Sequence, residues 1–149
     1  MLINKNLVTL NLEAKNKEEA IIKLAELAQK EGKITSVEEY ARSVLDREKA
    51  YTTGVGNGIA IPHGKSKAVK EAMIVFGKTT DGIEWDSLDG KPVNLIFLLG
   101  VPEENVDNVH LKILSQLSRK LMNDSFIEML KKAVTVEEIL NALSDIQVS

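Results

Sequence analysis

Residues 93–100, VNLIFLLG, decide the fold. The run has strand length and is apolar at both alternating positions, so it predicts a central strand covered on both faces. A second apolar run, 72–79 (AMIVFGKT), predicts another strand. A third, Gly58-Ile-Ala-Ile61, is short and is stopped by Pro62, whose missing N–H cannot extend a ladder. Residues 7–12, LVTLNL, alternate with a two-residue period and predict a further strand. Between the two long runs, TDGIEWDSLDGKP reads as turn-rich with a short edge strand around Trp85.

The helices announce themselves by their starts. Asn16 with Glu19, and Ser36 with Glu39, have the spacing at which a side chain accepts from an early backbone N–H while the acid reaches back. The first helix buries Ile21, Leu24, Ala25 and Ala28 and stops at Gly32. The second carries Val37, Tyr40, Ala41, Val44 and Leu45 at helical spacing and runs to about Lys49. Beyond Pro102 a charged loop, EENVDN, leads to helices at about 107–122, 125–133 and 136–146. The last is opened by Thr135 with Glu138. Because the helices come in blocks rather than alternating with strands, the expected fold is α/β: a three-layer α-β-α sandwich around a mixed sheet of four or five strands. The expected order is β-α-α-β-β-β-α-α-α, in one domain over residues 1–149.

Composition narrows the function. Hydrophobic residues are 44% and charged residues 28% of the 149, as in a globular domain. A net charge of −3 with the signs intermixed provides no broad basic field, so nucleic acid is not an expected partner. There is no cysteine, which excludes disulfides, thiolate metal sites and cysteine nucleophiles. The first residues lack the apolar core of a signal peptide and no stretch approaches a membrane span, so the expectation is a cytoplasmic protein without membrane insertion.

Candidate chemistry concentrates between Arg47 and Ser66, REKAYTTGVGNGIAIPHGKS, which holds four glycines and one of the two histidines. Two nucleotide motifs fail there. Gly54-x-Gly56-x-Gly58 has Ile59 where a dinucleotide fingerprint needs glycine, and it leads into a strand rather than opening a helix. Gly64-Lys65-Ser66 resembles the end of a P-loop, but Gly58 is one residue too far away. What remains is His63, held between a rigid proline and a permissive glycine at a strand's end. A neutral imidazole there is a nucleophile or a base, or else a turn histidine without a chemical task. His110, near a helix start with Leu114, Leu117 and Leu121 on its face, is either a packed ring or part of an anion pocket. Arg47 belongs either to a solvated mixed-charge helix end or to a phosphate clamp. Two histidines without HExxH spacing make a poor metal set, and no GxSxG elbow supports a serine hydrolase. No cofactor is expected.

DREKAYTTGVGNGIAIPHGKS, followed by DGKPVNLIFLLGVPEEN and VHLKILSQLSRKLMND, resembles the fructose/mannitol family of enzyme IIA domains of the bacterial phosphoenolpyruvate-dependent sugar phosphotransferase system, with the fructose branch favoured. The resemblance covers almost the whole chain. It implies that His63 takes a phosphoryl group from phospho-HPr as a tele-phosphohistidine and passes it to a cysteine of a IIB protein during sugar uptake. It also implies that Arg47 and His110 stabilise that group; from the residues themselves, the glycine stretch is expected to add phosphate-binding donors at Thr53, Gly54 and Asn57. Having no cysteine, the chain requires its IIB acceptor on a separate polypeptide. The nitrogen-related regulatory branch of the family, in which phosphorylation state controls partner binding, shares the His63 region and is the alternative.

Overall fold

The computed structural model describes residues 2–104 and 108–146. In chain order its elements are β1 (Val8–Leu12), α1 (Lys17–Lys30), α2 (Val37–Ala50), β2 (Gly54–Gly56), β3 (Ile59–Ala60), β4 (His63–Ser66), β5 (Met73–Ile83), β6 (Val93–Pro102), α3 (Val109–Leu121), α4 (Asp124–Lys132) and α5 (Val136–Leu143). Asn16 and Ser36 cap α1 and α2 through the amides of Glu19 and Glu39, as their spacing predicts. Among the described residues the reciprocal acid arm is present only at Thr135 and Glu138, before α5. The expected helix start at 107 lies outside the described residues.

β6 is the axis of the sheet. Along one side it pairs antiparallel with β5, and β1 adds parallel to β5 beyond it. Along the other side β3 and β4 lie end to end, both parallel to β6. Ile59 stands opposite Leu95, Ala60 opposite Ile96, His63 opposite Leu99 and Gly64 opposite Gly100. Pro62 interrupts the ladder without shifting its register, because its carbonyl still accepts from the Leu99 amide at 2.9 Å. β2 closes this edge antiparallel to β3.

The mixed α/β architecture is the expected one, but the sheet has six strands rather than four or five. The glycine stretch contributes three short strands where one is expected, so His63 opens a strand instead of ending one. β5 also runs past residue 79 to Ile83, because backbone pairing tolerates the exposed Thr80, Asp81 and Gly82 that end the apolar pattern. No strand forms around Trp85, whose side chain is instead fully buried.

Both faces of the sheet are covered. Consecutive residues Leu95 to Leu99 are all buried, which only a two-sided core permits. Gly77 faces Leu24 of α1, whereas the next residue, Lys78, reaches the other face and donates to the carbonyls of Leu130 (3.2 Å) and Ala133 (2.8 Å) at the end of α4. α1 and α4 therefore lie on opposite sides. α2 lies over β4 so closely that a Cβ on Gly64 would stand 2.5 Å from Ser43 Oγ and 3.1 Å from the Val44 nitrogen. Tyr40 of α2 also donates its hydroxyl to the Leu99 carbonyl at 2.6 Å, tying the helix to β6 at the residue that stands opposite His63. No helix among the described residues is long and apolar enough to cross a membrane.

Candidate functional site

His63 gains its position from the strand and its tautomer from the backbone. As the first residue of β4 it is fixed opposite Leu99, and its Nδ1 lies 2.9 Å from the Ile61 carbonyl. A carbonyl only accepts, so Nδ1 carries the hydrogen and Nε2 keeps the lone pair. Burial lowers the pKa of the ring. The Ile61 bond pulls it up, Arg47 lowers it and Glu48 raises it, and the balance stays below the ordinary 6.5. The half-buried ring is therefore neutral at neutral pH, with a nucleophilic nitrogen.

A cavity of about 240 Å³ is lined by His63, His110, Arg47, Lys65, Ser43, Gly64, Leu99 and Val101. Three sequence candidates thus meet from three elements: Arg47 from the last turn of α2, His63 from β4 and His110 from the first turn of α3. The Arg47 guanidinium donates from Nη1 to the Tyr51 carbonyl at 2.9 Å and sits 4.1 Å from the centre of the Tyr51 ring. Both contacts hold it in place without neutralising it. The pKa of His110 is lowered first by burial, then by the positive charge of Lys65 and by His63, so this ring too is neutral. Among the described residues no carboxylate lines the cavity. Two cations and two neutral imidazoles around a small space suit an anion with several equatorial oxygens, such as a phosphoryl group.

Thr53, Gly54 and Asn57 do not line this cavity, and their backbone amides donate elsewhere. The Thr53 amide donates to Glu48 at 3.3 Å, the Gly54 amide to Thr52 Oγ1 at 3.0 Å and the Asn57 amide to Asp89 at 3.1 Å. Asn57 and Gly58, with φ of 59° and 79°, form the two-residue turn between β2 and β3. This is the backbone demanded by a type I′ hairpin, and an Asn-Gly pair is its usual sequence signal. The glycine-rich stretch therefore builds a hairpin edge to the sheet.

Lys65 and Glu48 belong to the region without having been singled out by sequence. Lys65 enters the sequence reading only through the failed P-loop pattern. Glu48 lies in a mixed-charge run, yet it is buried with Thr53 and Trp85. No group of three or more histidines and acids among the described residues is arranged to hold a metal ion.

Comparison with known proteins agrees with this architecture. Residues 1–146 match the family described as phosphoenolpyruvate-dependent sugar phosphotransferase system, EIIA 2. The chain is 36% identical over 143 residues to the PTS system fructose-specific EIIABC component of Bacillus subtilis (strain 168), covering 96% of this chain and 22% of that protein. The crystal structure of the nitrogen regulatory protein IIA-Ntr from Neisseria meningitidis has a TM-score of 0.88 at 34% identity, over 95% of this chain and 96% of that one. The complex of enzyme IIAMTL and phosphorylated enzyme IIBMTL from Escherichia coli aligns with a TM-score of 0.80 at 28% identity, over 95% of this chain and 96% of that one. The chain belongs to the fructose/mannitol family of enzyme IIA domains of the phosphoenolpyruvate-dependent sugar phosphotransferase system. It spans about a fifth of the length of the Bacillus relative.

Proposed function

We propose that this protein is a sugar-uptake phosphocarrier in which His63 Nε2 accepts a phosphoryl group from phospho-HPr and delivers it to a cysteine of a IIB partner. The observation that carries the reading is the cavity itself: a neutral imidazole with a defined Nδ1–H beside Arg47, Lys65 and His110. In the accepting step the Nε2–P bond forms as the P–N bond to the donor histidine breaks. The His63 ring keeps its Nδ1 hydrogen, takes on imidazolium character and is stabilised by the Ile61 carbonyl. Arg47 and Lys65 offset the charge on the equatorial oxygens, and His110 supplies a ring N–H. In the second step the IIB thiolate attacks phosphorus in line and neutral His63 leaves. The likeness to an enzyme IIA solved with phosphorylated IIB supports a IIB partner, and the fructose-specific relative supports the sugar branch. The cytoplasm, where phospho-HPr would be met, is the compartment that this reading requires.

A second reading has its own support in the TM-score of 0.88 to a nitrogen regulatory protein. There the same phosphorylation at His63 would switch the capture of a target protein. Incubating the phosphorylated protein with IIB proteins of the fructose type separates the two. Loss of label from this chain with its appearance on a IIB cysteine is the outcome expected for uptake. A phosphoprotein stable toward every IIB tested, but retained by a different partner in only one phosphorylation state, would replace it with regulation.

A further inference from the structure

The buried charge nearest the cavity belongs to Glu48, which does not line it. Its carboxylate gathers donors: the Thr53 amide at 3.3 Å, the Thr53 hydroxyl, the Trp85 indole N–H at 3.4 Å and the Lys17 ammonium at 3.5 Å. From there an unbroken line of bonds runs to the reacting ring. The Thr53 carbonyl accepts from the Ile61 amide at 3.1 Å, and the Ile61 carbonyl accepts from His63 Nδ1 at 2.9 Å. The line crosses the gap between β3 and β4, where Pro62 has no N–H to offer β6. Thr53 therefore holds Ile61 from the hairpin side at the point where the ladder is interrupted. Arg47 precedes Glu48 in the last turn of α2, so the same buried carboxylate also fixes the turn that presents the guanidinium.

We propose that Glu48 is a positioning residue for phosphoryl transfer, setting the tautomer and orientation of His63 through Thr53 and Ile61. The proposal rests on reading His63 as the phosphoryl carrier. In-line transfer depends steeply on where the attacking lone pair lies, and a misplacement of about 1 Å costs on the order of 100-fold. A carboxylate accepts from all of its donors at once. A carboxamide of the same shape instead sets its NH₂ against one of the N–H groups or the Lys17 ammonium, which disturbs the line at its origin.

The test combines two readouts on Glu48→Gln and on Glu48→Asp, the second of which keeps the charge but withdraws the carboxylate from Thr53 and carries the test alone if the first fails to fold. The first readout is nitrogen NMR of the His63 ring in the unphosphorylated protein, which needs no donor protein. The second is the rate of phosphorylation by phospho-HPr, with Ile139→Val in the remote α5 core reporting what mild destabilisation alone does. The expected result is a His63 ring that loses its fixed Nδ1–H form, with a rate lowered about tenfold or more and Ile139→Val close to wild type. A ring that keeps its Nδ1–H form in the folded variants overturns the proposal, whether or not the rate falls. An unchanged rate overturns it as well. If the wild-type protein takes no label from phospho-HPr, the carrier reading fails, while the ring measurement still decides whether Glu48 governs His63.

Discussion

Two concavities flank the last turn of α2, and they differ in kind. The groove between α1 and α2 is large, about 810 Å³, with Ile22, Val37, Ala41 and Leu45 in its wall. Six of its charges pair with one another: Arg42 meets Glu38 at 3.2 Å, Lys49 meets Asp46 at 3.9 Å and Lys17 meets Glu48 at 3.5 Å. The cavity at His63 is much smaller, about 240 Å³, but Arg47 and Lys65 stand in its lining, which includes no carboxylate among the described residues. Volume records where two helices fail to fill the space between them. Uncompensated charge around a neutral imidazole records a place prepared for an anion. Arg47 and Glu48, consecutive in sequence, line the cavity and the groove respectively, so one helical turn divides the two.

If this contrast is correct, substitutions in the cavity lower transfer and those on the groove wall do not. Arg47→Ala should have the largest effect among the supporting residues, a loss of about 10²-fold in the phosphorylation rate with the fold retained. That is the scale for removing one donor to developing charge, and stopped-flow labelling by phospho-HPr checks it. His110→Ala should cost about tenfold, within the usual range for a single positioned acid–base or donor group. A rate equal to wild type would leave His110 a packing role only.

The next effect is one of pH. Burial keeps the folded His63 pKa below 6.5, so the unfolded chain takes up a proton first as pH falls. The contribution of this ring to stability is therefore complete above about 6.5. It declines through the window between 6.5 and the lower folded value, and is constant at its minimum below that value. NMR titration of the ring should give a midpoint below 6.5, and a midpoint at or above 6.5 would contradict the environment described. The smallest effect should come from the groove. Ile22→Glu, at a side chain 40% exposed on its wall, should change the phosphorylation rate by less than about twofold, as expected of surface positions away from the site.

The central architecture was legible because its signals are local. VNLIFLLG is a two-sided strand on its face, and Asn16, Ser36 and Thr135 mark the starts of their helices by spacing alone. His63, His110 and Arg47 could be singled out by residue type and by the resemblance of their motifs, and they line one cavity. The interior of the glycine stretch was harder to read. Asn57-Gly58 carries a hairpin signal, but the apolar runs on either side are too short to advertise strands, and β4 (HGKS) has no apolar period at all. It is a strand because β6 offers a partner, which is a tertiary fact. Glu48 was hidden for a related reason. In sequence it belongs to a charged helix end, and only Trp85, 37 residues downstream, shows which side of that turn is buried.

The most direct test of the account is chemical identification of the phosphorylated atom. With phosphoenolpyruvate, enzyme I and HPr, the wild-type chain should acquire one acid-labile phosphate, located by phosphorus–nitrogen NMR at Nε2 of His63, and His63→Ala should acquire none. Full labelling of His63→Ala, or a phosphate on any other residue of the wild-type chain, would contradict it.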